Sequence, residues 1–189
     1  MGYELAREAV AAGHRVTLIT APTNLPAPEG VAVVRVETAS EMFQAVKERL
    51  RGCDCLIMAA AVSDYTPVRR PKNKIRRKAK SLTLKLKQTV DILGWAGRHK
   101  SRGQIVVGFA LDDKNIRVNA ERKLREKNLD MVVANTPAAI GADRSSVWIK
   151  TTFGDGLVVR NKKKAAIAGK IVRLAETFIR PSKNKCRQE

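Results

Sequence analysis

Short β-branched runs alternate with segments of helical period along almost the whole chain, and this alternation restricts the fold to an α/β class with a largely parallel sheet. Residues 2–12 form a helical pattern with Leu5, Ala9, Val10 and Ala12 on one face, and Gly13 stops it. Strand patterns follow at 15–20 and 31–36, separated by a loop with three prolines. Thr38-x-x-Glu41 is a capping box that opens a helix reaching about Leu50. Residues 54–58 are a near-continuous apolar run, the kind a parallel strand buries on both faces.

The later chain repeats the scheme. Asp91 is placed to cap a helix over 92–99, 104–109 is a second buried strand, 115–127 a charged helix and 130–134 a strand. Residues 147–152 and 157–160 flank Gly154-Asp155-Gly156, a hairpin signal, and 162–178 is the last helix. Between these halves, 59–80 has no clear period, and Leu82, Leu84 and Leu86 alternate with polar residues as in a half-exposed strand. The expected architecture is a doubly wound, mostly parallel, Rossmann-like sheet with an antiparallel hairpin. It lacks the usual first strand, because the chain opens on a helix. Residues 1–179 read as one domain and 180–189 as a basic tail.

Charge narrows the function. The formal net charge is +19. Between Asp64 and Asp91 there is no acid, and ten basic residues occupy that stretch; the final thirty residues hold ten more against Glu176 and Glu189. Such a field recruits polyanions. Aromatics are 4% of the chain and none falls between Tyr65 and Trp95, so the stretch suits phosphates better than stacked bases. No GxGxxG or Walker motif occurs, and no apolar run approaches a membrane span. No secretory run follows Met1, which points to the cytoplasm. Cys53, Cys55 and Cys186 have neither disulfide nor zinc spacing, and His14 and His99 sit near no cysteine or carboxylate pair, so no metal ligand set is expected.

Several residues have both a chemical and a purely structural reading. Ala59, Ala60 and Ala61 end a strand at the sheet edge where such folds bind ligands, and small side chains there let a base or ribose approach; close strand–helix packing is the other reading. Asp64 suits a ribose hydroxyl, a base amine or a magnesium-bound water, and equally a turn. The first-turn amides after Asp91 suit a phosphate or cytosine, and simple capping is compatible with that. Lys123 and Lys127 share one helix face, as a triphosphate site or a solvated helix would have them.

Four segments in order carry a resemblance: Ala59-Ala-Ala-Val-Ser-Asp-Tyr65, Lys74-Ile-Arg-Arg77, Val107-Gly-Phe-Ala110, and Lys123-x-x-x-Lys127-Asn-Leu-Asp130 followed by Val133-Ala-Asn135. Together they resemble phosphopantothenate–cysteine ligase (phosphopantothenoylcysteine synthetase), in most bacteria the C-terminal half of a bifunctional coenzyme A biosynthesis protein. The likeness covers residues 2–177. It implies a homodimer acting on CTP with Mg2+, 4′-phosphopantothenate and cysteine. The carboxylate attacks the CTP α-phosphate, pyrophosphate leaves, and the cysteine amine displaces CMP from the acyl-cytidylate. It further implies nucleotide contacts at Ala59, Ala60, Asp64, Lys74, Val90, Asp91, Ile92, Leu93, Phe109, Lys123 and Lys127, with Lys74 also catalytic on a flap over the substrates.

The chain departs from that pattern in four places. Lys-Ile-Arg-Arg stands for Lys-Ile-Lys-Lys, Val90 replaces a proline, and Asp112 shortens an acid, which leaves a metal or substrate role for Asp112 open. The family's opening strand, Gly-Gly-Thr turn and catalytic asparagine have no counterpart; Met1-Gly2 aligns with the Met-Gly that ends that segment. The rival expectation is therefore a basic nucleotide- or nucleic-acid-binding protein on a truncated, inactive ligase fold.

Overall fold

The computed structural model describes residues 1–69, 73–75 and 81–179. Helix α1 (Gly2–Ala11) leads into β1 (Val16–Thr20), β2 (Val31–Arg35), α2 (Ala39–Leu50) and β3 (Cys55–Met58). A small ribbon of β4 (Tyr65–Pro67) and β5 (Leu86–Gln88) follows, then α3 (Ile92–His99), β6 (Ile105–Leu111), α4 (Ile116–Glu126) and β7 (Met131–Asn135). Strands β8 (Arg144–Thr151) and β9 (Leu157–Lys163) and helix α5 (Lys164–Glu176) complete the order.

The main sheet runs β3-β6-β7-β8-β9. Its first three strands are parallel and β8 and β9 are antiparallel additions. Strands β1 and β2 pair in parallel as a separate ribbon, and β4 and β5 pair antiparallel as another. The doubly wound expectation and its hairpin are met. One helical layer is α1 and α5, whose Leu5, Ile167 and Ile171 join Val107, Met131 and Ile149 in one cluster. The other holds α3 and α4, with Leu93, Ala120 and Leu124 against Val106, Val132 and Leu129. Strands β6 and β7 are buried on both faces because helices cover both, which explains why their sequences show no alternation.

Two glycines permit close approaches. A Cβ on Gly108 would lie 2.7 Å from Leu93 Cδ2 and 2.8 Å from Leu129 Cδ1, so α3 reaches β6 only because nothing projects there. Gly156 gives its space to the Trp148 indole at the end of the hairpin.

Strong local signals form the structures they predict. Thr38 accepts from the Glu41 amide at 3.1 Å while Glu41 reaches back to the Glu37 amide at 2.8 Å. Asp91 caps α3 by accepting from the Gly94 amide at 3.0 Å. Three expectations need correcting. The alternating leucines do not make a strand over 81–87; only 86–88 pairs, with Leu82, Leu84 and Leu86 each more than half exposed. A short strand, β4, lies inside the stretch read as patternless. The apolar β3 is half-buried at all four positions rather than enclosed. The expected basic tail at 180–189 lies outside the described residues.

Candidate functional site

Strands β3, β6 and β7 run the same way, so their carboxyl ends share one edge. The chain leaves that edge through Ala59–Ala61 and Asp64, passes out along β4, and returns along β5 to Asp91. The base of this excursion is fastened where the Thr89 amide donates to the Asp64 carbonyl at 2.8 Å. The Val68 amide donates to the Lys85 carbonyl at 2.9 Å and prolongs the ribbon. Lys74 is on this arm and is exposed. Arg76 and Arg77 lie outside the described residues.

Helix α4 and its C-cap supply two lysines whose side chains reach back to Phe109 and Asp91. Lys123 Nζ donates to the Phe109 carbonyl at 2.6 Å, and Lys127 Nζ pairs with Asp91 Oδ1 at 2.8 Å. Asp91 therefore binds the first turn of α3 and a lysine of α4 with the same oxygen. Burial, then the nearby Lys127 charge, pushes the Lys123 ammonium below its usual range; Asp112, Asp91 and Asp64 pull the other way. These five charged groups, two ammoniums among three carboxylates, are thus near enough to feel one another, and Lys123 among them is partly desolvated.

The other predicted residues divide by what they expose. Ala59 is half-buried and Ala60 exposed, on the loop just past β3. Phe109 is half-buried, its ring packed against the α1 and α5 cluster and its carbonyl held by Lys123. Val90 is exposed, whereas Ile92 and Leu93 are only 2% and 5% exposed. Their side chains belong to the core, so any contact from that pair is through the backbone of the first turn of α3. Asp112 accepts from Asn119 Nδ2 at 3.2 Å.

Residues the sequence reading passed over hold this arrangement in place. A Cβ on Gly97 would lie 1.9 Å from the Lys127 carbonyl oxygen, so α3 and the end of α4 touch backbone to backbone. Asn128, at φ 49°, donates from Nδ2 to the Gly97 carbonyl at 2.8 Å. The signal for it was a glycine inside a helix beside an asparagine at a helix end, both consistent with close packing and a left-handed cap. Asp130, in the same motif, is structural: it accepts from Lys100 at 2.7 Å and from the Val106 amide at 2.8 Å at the opposite end of the sheet.

The remaining polar groups point away from chemistry. Burial pushes the Cys55 thiol up to about 12 and also raises Cys53, so both are poor nucleophiles. His14 bonds Glu176 at 2.7 Å, and His99 stacks on Trp95 with centroids 4.4 Å apart. Among the described residues no cluster of three or more His, Cys, Asp or Glu is placed to hold a metal, and no helix is long and apolar enough to cross a membrane.

The Asp91 carboxyl makes a pH test of this geometry. Burial alone would raise it, but the hydrogen bonds from Lys127 and Gly94 and the Lys127 and Arg98 charges outweigh burial and hold it below its usual 3.8. A depressed carboxylate adds stability that is fully present above the unfolded value and lost as pH falls through the folded one. Asp91→Asn is therefore expected to reduce the loss of stability on acidification below about pH 4, measured by denaturant unfolding at stepped pH. Parallel acid limbs for both proteins would contradict the pairing.

Known proteins share this fold and sequence. Residues 1–178 match the family described as DNA/pantothenate metabolism flavoprotein C-terminal domain. The coenzyme A biosynthesis bifunctional protein CoaBC of Bacillus subtilis is 40% identical over 176 residues, which is 90% of this chain and 42% of that protein. A cysteine/cysteine sulfinic acid decarboxylase from an unknown prokaryotic organism is 36% identical over 95% of this chain and 51% of its own length. The chain spans about half the length or less of these curated relatives. The crystal structure of the C-terminal domain of a CoaBC superposes with a TM-score of 0.77 at 32% identity, covering 93% of this chain and 80% of that one. Cab2 mutant H337A, in complex with phosphopantothenate-cysteine, has the same fold with a TM-score of 0.77 at 16% identity, covering 94% and 77%. The chain belongs to the DNA/pantothenate metabolism flavoprotein C-terminal domain family.

Proposed function

We propose that this chain is the phosphopantothenate–cysteine ligase unit of coenzyme A biosynthesis. The observation that carries the reading is the convergence of Lys123, Lys127, Asp91 and the Phe109 carbonyl at the carboxyl edge of β6, beside Ala59 and Asp64. The match to CoaBC proteins over nine-tenths of the chain supports it.

In this reading the carboxylate oxygen of 4′-phosphopantothenate attacks the α-phosphorus of CTP and the bond to pyrophosphate breaks. The amine of cysteine then attacks the acyl carbon, CMP departs with the bonding electron pair, and the amine loses a proton. The protein's own part is to position anions and neutralise them. Lys123 and Lys127 meet the phosphates, Asp91 orients Lys127 and the first turn of α3, and Lys74 comes over the substrates on the β4–β5 arm. Mg2+ would be held mostly by phosphate oxygens with at most one or two carboxylates such as Asp64, which needs no preformed cluster. The working form in this reading is a cytoplasmic homodimer.

The test is calorimetric titration with CTP and ATP in magnesium, followed by assay of CMP release with 4′-phosphopantothenate and cysteine. Preferential CTP binding is expected. Absence of nucleotide binding would defeat the reading. The net charge of +19 favours one alternative, a nucleic-acid binder on this fold. Affinity for duplex DNA that collapses with salt and ignores sequence, with no CTP preference, would select it instead.

A further inference from the structure

The amino ends of β3 and β6, at the other end of the sheet from the candidate site, border a groove of about 780 Å3. Its walls are the end of α2, the turn at 101–103, the tip of the β8–β9 hairpin and the residues after α5. One wall is built on Gln104, which is only 7% exposed. Its Nε2 donates to the Leu50 and Cys53 carbonyls, and its Oε1 accepts from the Ser101 amide at 2.9 Å. A single buried amide therefore fixes both backbone turns that carry Arg51 and Arg102.

Those two arginines are uncommitted. Among the described residues neither makes an ion pair. Lys100, also at the groove, is paired with Asp130 at 2.7 Å. Arg98 reaches back along α3 toward Gly94, and its charge acts on Asp91. Asp54 offsets one of the two free guanidiniums, so a net positive charge remains at the groove.

The facing wall is apolar. Phe153 is 75% exposed at the hairpin tip, and its ring lies 6.2 Å from that of Phe178 with 14° between their planes. Phe178 and Ile179 pack in turn against the α1 and α5 cluster. Thr151 Oγ1 donates to the Phe153 carbonyl and Lys150 Nζ to the Gly154 carbonyl, so the tip is tied down while the ring stays in solvent. An apolar body laid against that ring removes its surface from water, and the tied backbone lowers the ordering cost of binding.

We propose that this groove is a second ligand site, separate from the carboxyl edge of the sheet, and that it takes a small organic anion. The carboxylate, sulfonate or phosphate of the ligand meets Arg51 and Arg102, and its aromatic or acyl body lies on Phe153 and Phe178. Guanidinium forks match such oxyanions in shape and charge. The volume falls within the range of about 300–1,000 Å3 usual for small-molecule sites. A small net charge suits one anionic group, whereas a polynucleotide track needs a row of cations. This inference does not depend on the ligase reading.

The test is fluorescence titration of the full chain with anilinonaphthalene sulfonate in about 0.3 M NaCl, which screens the general field of the +19 charge. Neutral phenylnaphthylamine is the control. The sulfonate is expected to bind at one site, and the neutral analogue about ten-fold more weakly or worse. The double variant Arg51→Gln, Arg102→Gln and the single variant Phe153→Ser should each weaken the sulfonate about ten-fold, with Tm within about 2 °C of the parent. Unchanged affinity in either variant would overturn the proposal. So would equal binding of the neutral analogue, since apolar surface alone would then account for it. Saturating CTP is expected to leave the titration unchanged, and displacement of the probe by CTP would place the anion at the carboxyl edge instead. A chain that binds no CTP would count against the ligase reading alone.

Discussion

Lys123→Ala is expected to weaken CTP binding by about 10- to 100-fold while shifting Tm by no more than about 2 °C. The side chain crosses from α4 to the Phe109 carbonyl at 2.6 Å, so its ammonium sits at the carboxyl end of β6 rather than in bulk solvent. A charge-assisted hydrogen bond to a phosphate is worth about 1.5–3 kcal/mol, and that sets the loss of affinity. The folded state loses little, because the ammonium is partly desolvated and already carries a cost from Lys127. Lys127→Ala should behave alike with a smaller loss. Its ion pair with Asp91 is 30% and 46% exposed, so solvent screening leaves little effect on stability. Titration of each variant by calorimetry, beside its melting curve, checks both parts. Unchanged CTP affinity in Lys123→Ala would remove the lysine from the site.

Gly97→Ala is expected to lower stability by about 3 kcal/mol, or about 6–12 °C in Tm for a chain of this size. The added methyl would lie 1.9 Å from the Lys127 carbonyl oxygen and 3.0 Å from its carbon. These are backbone atoms, and the Asn128 bond to Gly97 fixes them further. The helix must therefore move, and it carries Asp91 at its other end. The variant should lose nucleotide affinity as well as stability, unlike Lys123→Ala, which loses affinity alone. A melting curve within about 2 °C of the parent would show that α3 and α4 are not locked at this point.

The contrast between the two substitutions shows how the site was legible. Lys123 and Lys127 stood out because like charges four residues apart on one helix have no local partner. Asp91 stood out as a cap. Gly97 and Asn128 did not, since the reason for a helical glycine is another segment's backbone, and that segment is thirty residues away. Ile92 and Leu93 show the converse. They adjoin Asp91 in sequence, but helical geometry turns their side chains into the core at 2% and 5% exposure.

Most of the element order, the β4–β5 ribbon excepted, was legible in the sequence, because hydrophobic period, capping residues and turn glycines act within a few residues of one another. Thr38 with Glu41, Asp91 with Gly94, and Gly154 with Gly156 all worked at that range. The sequence also pointed to cations rather than to histidine or thiol as the groups expected to carry the chemistry. Tertiary structure decided which strands became neighbours. It put β1 and β3 in separate sheets, left the apolar β3 half-exposed, and confined the leucine-rich ribbon to three paired residues. Strand pairing depends on which helices can cover which faces. That coverage is settled by contacts between residues far apart in the chain, which no local pattern records.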